Sequence, residues 1–140
     1  YSASAVLRLK NNGFYVVVVT NQPDVGNGKS KKSVVEKMNN LLLDVCAVDE
    51  IKVCFHAQNE GCDCRKPKVG MLREATETFN CDLSNSFLVG DRNGDLEAAR
   101  RFGCRPIFIN RNYEEPVVEK FEKSFNNLEE ASNYIIELYP

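Results

Sequence analysis

Residues 14–20, FYVVVVT, form an apolar, β-branched run without polar alternation, and this run constrains the chain more than any other feature. A strand with one wet face alternates apolar and polar residues, whereas a run without alternation is covered on both faces, as in a parallel sheet between helical layers. The flanking segments fit that picture. ASAVLRLKNNG places Ala3, Val6, Leu7 and Lys10 at helical spacing and stops at Gly13. Beyond the loop NQPDVGNGKSKK, Val34, Val35, Met38, Leu41, Leu42 and Val45 recur at three and four, which predicts a second helix. IKVCF (51–55), SFLVGD (86–91) and RPIFIN (105–110) read as further strands. Between them lie a helix opened by Pro67 and carried by Met71, Leu72, Ala75 and Phe79, and a second, DLEAARRFG, ending at Gly103. Asn127 with Glu130 resembles a capping box before a last helix. The expected fold is α/β, a Rossmann-like, mostly parallel sheet with helices on both faces and no large cap domain, with residues 111–126 irregular.

Length and charge narrow the function. A chain of 140 residues, 43% hydrophobic with net charge −2, suits one globular domain over 1–140. Without a run of five or six Lys or Arg, nucleic acid and anionic membranes are not expected partners, and a small polar molecule is. No apolar run approaches the roughly eighteen residues of a membrane span, and the N-terminus lacks a signal-peptide layout. A cytoplasmic location is expected, where six cysteines read as metal ligands or buried thiols.

In such folds ligands bind beyond the carboxyl ends of the strands. Thr20, Asn21 and Gln22 follow the first strand, a Cys/His loop the second, and Asp91 the third. That loop, CFHAQNEGCDCRKPK, carries Cys54, His56, Cys62 and Cys64, two short pairs of soft ligands separated by five residues. Three thiolates and one imidazole suit a closed, tetrahedral structural Zn²⁺ site over 54–66; reduced thiols and a surface histidine are the alternative. Cys46, Cys81 and Cys104 sit among apolar neighbours and read as core. Arg65 and Lys66 follow the last ligand directly, where a rigid knot would aim both at an anion. In LVGDRNGDLEAA, Asp91 is placed to hold Mg²⁺, although both Asp91 and Asp95 could equally cap the following helix. Thr20 and Asn21 could bind a phosphoryl oxygen or start a turn. DVGNGKS ends like a phosphate-binding P-loop, but Pro23 occupies its first glycine position, so Gly26 and Gly28 are read as turn residues.

Together, VVVVTNQ, CFHAQNEGCDCRKPKVGM and FLVGDRNGDLEAA resemble the haloacid dehalogenase-like phosphatases, in the branch of histidinol-phosphate and heptose 1,7-bisphosphate phosphatases. The likeness runs from about residue 3 to 110. It implies that Thr20 and Asn21 bind the transferring phosphoryl group, that Lys66 stabilises the phosphoenzyme, and that Arg65 contacts substrate. It also implies that Asp91 holds a catalytic Mg²⁺ and that Cys54, His56, Cys62 and Cys64 hold structural Zn²⁺. Arg92 stands where these enzymes often have Lys, as a further substrate contact. The implied activity is Mg²⁺-dependent hydrolysis of a small phosphorylated metabolite; a non-catalytic domain binding a phosphorylated ligand or partner is the alternative. The family's nucleophile lies in a DxDGT segment on a central first strand. Neither is found in this sequence, which starts at Tyr1 in the helix that would follow, so an upstream aspartate is expected.

Overall fold

A computed structural model describes residues 2–139; Tyr1, on which the expectation of an upstream segment turns, lies outside them. The order is α1 (Ser2–Asn11), β1 (Val17–Asn21), α2 (Pro23–Gly26), α3 (Lys32–Cys46), β2 (Glu50–Cys54), α4 (Gly70–Phe79), β3 (Phe87–Gly90), α5 (Asn93–Phe102), β4 (Arg105–Ile109), β5 (Lys123–Phe125) and α6 (Leu128–Glu137). Every strand pairing is parallel, β1 with β2 and β3–β4–β5 in order. The alternation of strand and helix thus gives the expected α/β class.

The strands form two sheets: among the described residues no backbone pairing joins β1 to β3. Helices bridge them instead. On one face Val19 of β1 and Leu88 of β3 pack into a single cluster with Leu72 of α4 and Ala98 and Ala99 of α5. On the other, Val18 and Ile51 meet Val6 of α1 and Cys46 of α3, while Ile107 and Ile109 meet Ala131 of α6. Both faces of the strands are covered, yet all five β1 residues are only half-buried.

Three local expectations shift. Helices α1 and α3 form where periodicity places them, but their inner faces differ. Ala5, Val6 and Leu9 are buried in α1 while Leu7 is exposed. In α3, Val35 and Cys46 are buried, and Val34, Met38, Leu41 and Val45 face outward at 50–69% exposure. Two apolar stripes run along α3, and α1 covers the one that carries Leu42, Leu43 and Cys46. Pro67 does not open α4, which starts at Gly70, whose N–H bonds Asp63 O at 3.0 Å. Within the stretch expected to be irregular, Lys123–Phe125 pairs with β4 as a fifth strand.

Of the capping box expected at the last helix, the half supplied by Asn127 forms, while Glu130 reaches one residue further back. Asn127 Oδ1 accepts from Glu130 N at 2.9 Å, and Glu130 Oε2 accepts from Asn126 N at 3.0 Å.

Candidate functional site

The parallel register sets Asn21 beside Cys54 at the carboxyl ends of β1 and β2, and Gln22 N donates to Cys54 O at 2.7 Å. The metal-ligand loop therefore begins against the residues that end β1. Gly26 sits close under this loop: a Cβ there would collide with Ala57 N and the His56 carbonyl carbon. Its small size serves close approach rather than a turn, whereas Gly28, at φ +75°, does adopt the left-handed turn conformation.

Cys54, His56, Cys62 and Cys64 converge, their ligand atoms all within 4.8 Å of one another. Cys54 Sγ lies 3.5 Å from His56 Nδ1 and 3.6 Å from Cys62 Sγ, and His56 Nδ1 lies 3.2 Å from Cys64 Sγ. A tetrahedral site with metal–sulfur bonds of about 2.3 Å has edges of roughly 3.3–3.8 Å, so these separations suit a common metal ion. The Cys54–Cys64 edge, 2.8 Å, must open by about 1 Å to reach the upper end of that range. Charge agrees with this. Burial, together with contacts to Cys54 and Cys62, pushes the Cys64 thiol far up. At Cys62 burial also acts upward, but hydrogen bonds from the Arg65 and Cys64 backbone and from the neighbouring thiols outweigh it and bring the thiol down to about 6. Crowded thiols resist losing several protons together, and a divalent cation among them would reverse that resistance.

Immediately after the knot, Lys66 is fastened by two elements, β1 and α5. Asn21 Oδ1 accepts from Lys66 N at 3.1 Å, and Asn21 Nδ2 donates to Lys66 O at 3.4 Å. The Lys66 ammonium donates to Val19 O at 3.0 Å and lies 2.6 Å from Asp95 Oδ1, both side chains being largely buried. Asp95 is held from the other side: its Oδ2 accepts the N–H groups of Asp91 and Arg92 at 3.2 Å each, capping α5. Gly90 makes room for this, since a Cβ there would run into the Asp95 side chain. Of the two aspartates, Asp95 therefore caps and pairs with Lys66, and Asp91 points elsewhere.

Asp91 Oδ2 accepts the Tyr113 phenol at 2.9 Å. Donating that bond to a carboxylate raises the Tyr113 pKa above its ordinary value. Arg92 stacks on the Tyr113 ring at 3.7 Å and pairs with Glu115 at 3.3 Å. A small cavity lies between these groups, with Asn110 and Arg111 completing its wall. Thr20 Oγ1 accepts only from Gln22 Nε2, at 3.3 Å, among the described residues. Arg65 Nη1 is buried with no hydrogen-bond partner among them, a donor left without a protein acceptor.

Of the predicted site residues, Asn21 and Lys66 touch, Asp91 joins them through Asp95, and the four soft ligands meet. Among the described residues, Thr20 and Arg92 form no hydrogen bond or ion pair with Lys66. Sequence reading missed Asp95 as the partner of Lys66, and Tyr113 and Glu115 altogether. Spacing from Asp91 carried the signal for Asp95; nothing in the pattern of 111–119 marked the other two.

Parallel strands whose carboxyl ends bring together an Asn, a fastened Lys and an Asp turn are the marks of a haloacid dehalogenase-like phosphatase. The chain belongs to the family described as polynucleotide kinase 3 phosphatase, which matches residues 3–134. It is 42% identical over 113 residues to the D-glycero-beta-D-manno-heptose-1,7-bisphosphate 7-phosphatase of Pseudomonas aeruginosa, covering 77% of this chain and 64% of that protein. To the Pseudomonas putida enzyme of the same name it is 38% identical over 124 residues, 85% of this chain and 71% of the relative. The histidine biosynthesis bifunctional protein of Campylobacter jejuni is 38% identical over 107 residues, 73% of this chain and 30% of that protein. Among solved structures, D,D-heptose 1,7-bisphosphate phosphatase from B. bronchiseptica, complexed with magnesium and phosphate, superposes with a TM-score of 0.79 at 27% identity, covering 97% of this chain and 82% of that one. No helix of the described residues is long and apolar enough to cross a membrane.

Proposed function

We propose that the protein of which these residues are part is a Mg²⁺-dependent phosphomonoesterase acting on a small phosphorylated metabolite in the cytoplasm, of the sugar bisphosphate or histidinol phosphate type. The observation that carries this reading is the fastening of Lys66 by Val19 O, Asn21 and Asp95. A cation fixed between β1 and α5 stabilises charge on a transferring phosphoryl group without reorganising during the reaction.

In this reading Asn21 and the Thr20 hydroxyl bind phosphoryl oxygens, and Lys66 neutralises them as charge moves onto the leaving oxygen. Arg65 offers its partnerless Nη1 to the substrate, and Arg92 reaches the mouth of the site. Asp91, a single carboxylate with Oδ1 clear of protein donors among the described residues, fits a cation that takes one or two carboxylates beside water and phosphate. Mg²⁺ bound there would polarise the phosphoryl group. The attacking carboxylate belongs to residues outside these 140, in keeping with relatives of which the chain spans only part. Cys54, His56, Cys62 and Cys64 hold Zn²⁺, which stiffens the stretch leading to Arg65 and Lys66.

The test is phosphate release by the full-length protein with Mg²⁺ from heptose 1,7-bisphosphate, histidinol phosphate and a 3′-phosphorylated oligonucleotide. Turnover of one of the small molecules, lowered at least ten- to a hundredfold in Lys66→Met, supports the reading. Preference for the oligonucleotide overturns the substrate class. Release from none of the three favours a non-catalytic phosphoryl-binding domain.

A further inference from the structure

We infer that Tyr113 and Glu115 are positioning residues for the Asp91–Arg92 pair, carried by a strap, residues 110–119, that is fastened across the carboxyl end of β3. This rests on the phosphatase reading above for the role of Asp91 and goes beyond it in assigning the strap.

Segments without helix or strand ordinarily run free over a surface. This one is pinned along its length. Tyr113 donates to Asp91 Oδ2 at 2.9 Å and lies under the Arg92 guanidinium at 3.7 Å. Glu115 Oε2 meets Arg92 at 3.3 Å, and its Oε1 accepts from Asn93 Nδ2 at 2.8 Å. Asn93 then works in both directions, donating to Pro116 O at 2.9 Å and accepting from Val118 N and Glu119 N at 3.0 and 3.3 Å. Three consecutive residues, Asp91 and Arg92 after the site strand and Asn93 at the start of α5, thus hold a segment more than twenty positions away.

The chemistry is specific. A carboxylate at a strand end rotates about its last bond, and one donor on Oδ2 decides which oxygen stays available. With the phenol on Oδ2, Oδ1 faces no protein donor among the described residues. Arg92 is fixed in turn by a ring on one side and a carboxylate on another. A planar guanidinium satisfies both partners at once, whereas a lysine ammonium, a compact and strongly hydrated point charge, does so poorly. The strap gives a physical reason for arginine at this position.

The experiment uses the full-length protein with Mn²⁺ as the probe of the cation site, its binding followed by electron paramagnetic resonance. Tyr113→Phe keeps the ring under Arg92 and removes the hydroxyl. It is expected to weaken Mn²⁺ binding about three- to tenfold, the range of one ordinary hydrogen bond. Substrate KM at saturating Mg²⁺ should stay unchanged, with kcat restored by raising the metal concentration. Tyr113→Ala also removes the stacking surface and should raise substrate KM in addition. A purely structural role would lower thermal stability in both variants without splitting the two readouts. Mn²⁺ binding that is lost in Asp91→Asn but equal in wild type and Tyr113→Phe overturns the strap inference and leaves the phosphatase reading intact. Absence of Mn²⁺ binding in the wild type overturns the inference and the assignment of Asp91 together.

Discussion

Lys66 Nζ and Asp95 Oδ1 lie 2.6 Å apart with side chains only 13% and 10% exposed. The pair ties the residue that follows the metal loop to the helix that follows β3. Breaking a buried pair by removing one partner leaves the other charge uncompensated, a loss of about 3–5 kcal/mol. Asp95→Ala also uncaps the N–H groups of Asp91 and Arg92. It is expected to lower the denaturation midpoint more than Asp95→Asn, which retains an acceptor for the cap. Urea unfolding of both variants in the full-length protein checks the order; equal midpoints would contradict it.

The metal knot should be separable from the sheets. Three of its four ligands lie on one loop and the fourth, Cys54, ends β2, while the clusters that join strands to helices hold none of the four. One zinc per chain is expected by elemental analysis, falling below half in Cys62→Ser. Removal by a chelator should leave far-ultraviolet circular dichroism nearly unchanged while raising substrate KM, because Arg65 and Lys66 lose their rigid anchor. Global unfolding on chelation would show that the metal supplies folding free energy for the whole chain.

The outward stripe of α3 makes a further contrast. Met38 and Leu41 are 63% and 58% exposed, whereas Val35, on the same helix, is 8% exposed. Met38→Lys and Leu41→Lys should change stability by no more than about 0.5 kcal/mol, as exposed substitutions do. Val35→Asp buries an unpaired carboxylate and should prevent folding or cost several kcal/mol. Thermal melts of the three variants decide which stripe is the inner one.

How much of this was readable beforehand follows from what each signal measures. Apolar runs announced β1 to β4, and strand ends then placed Thr20, Asn21, Cys54 and Asp91 along one edge, because parallel topology leaves few other arrangements. The ligand loop was readable because soft-ligand spacing is a local property. Periodicity reports that a helix is amphipathic, but α3 carries apolar residues on two adjoining stripes, and only the position of α1 chooses between them. Lys66–Asp95 and Tyr113–Asp91 span 29 and 22 positions by their residue numbers. No local pattern encodes such pairs. β5 escaped because Lys123–Phe125 is three residues long, largely exposed, and has no alternation to detect.

That short strand is held by a charge pair just before it, which gives a pH prediction. Glu122 accepts from Arg105 through both oxygens, at 2.6 and 2.8 Å, and from the Tyr134 phenol at 2.7 Å. The Arg105 guanidinium, aided by Tyr134 and opposed by partial burial, holds the Glu122 carboxyl below its ordinary value of 4.5. A carboxyl whose folded pKa is depressed binds fewer protons than in the unfolded chain, so it adds stability above the unfolded value and loses it as pH falls through the folded one. The contribution is therefore complete at neutral pH and disappears below about pH 4.5. A bidentate pair at a partly exposed site contributes on the order of 1 kcal/mol. Glu122→Gln should lower the melting temperature at pH 7, with the difference from wild type shrinking as pH is taken from 5 toward 3. A difference that stayed constant across that range would mean that Glu122 acts through packing against Arg105 and Tyr134 rather than through its charge.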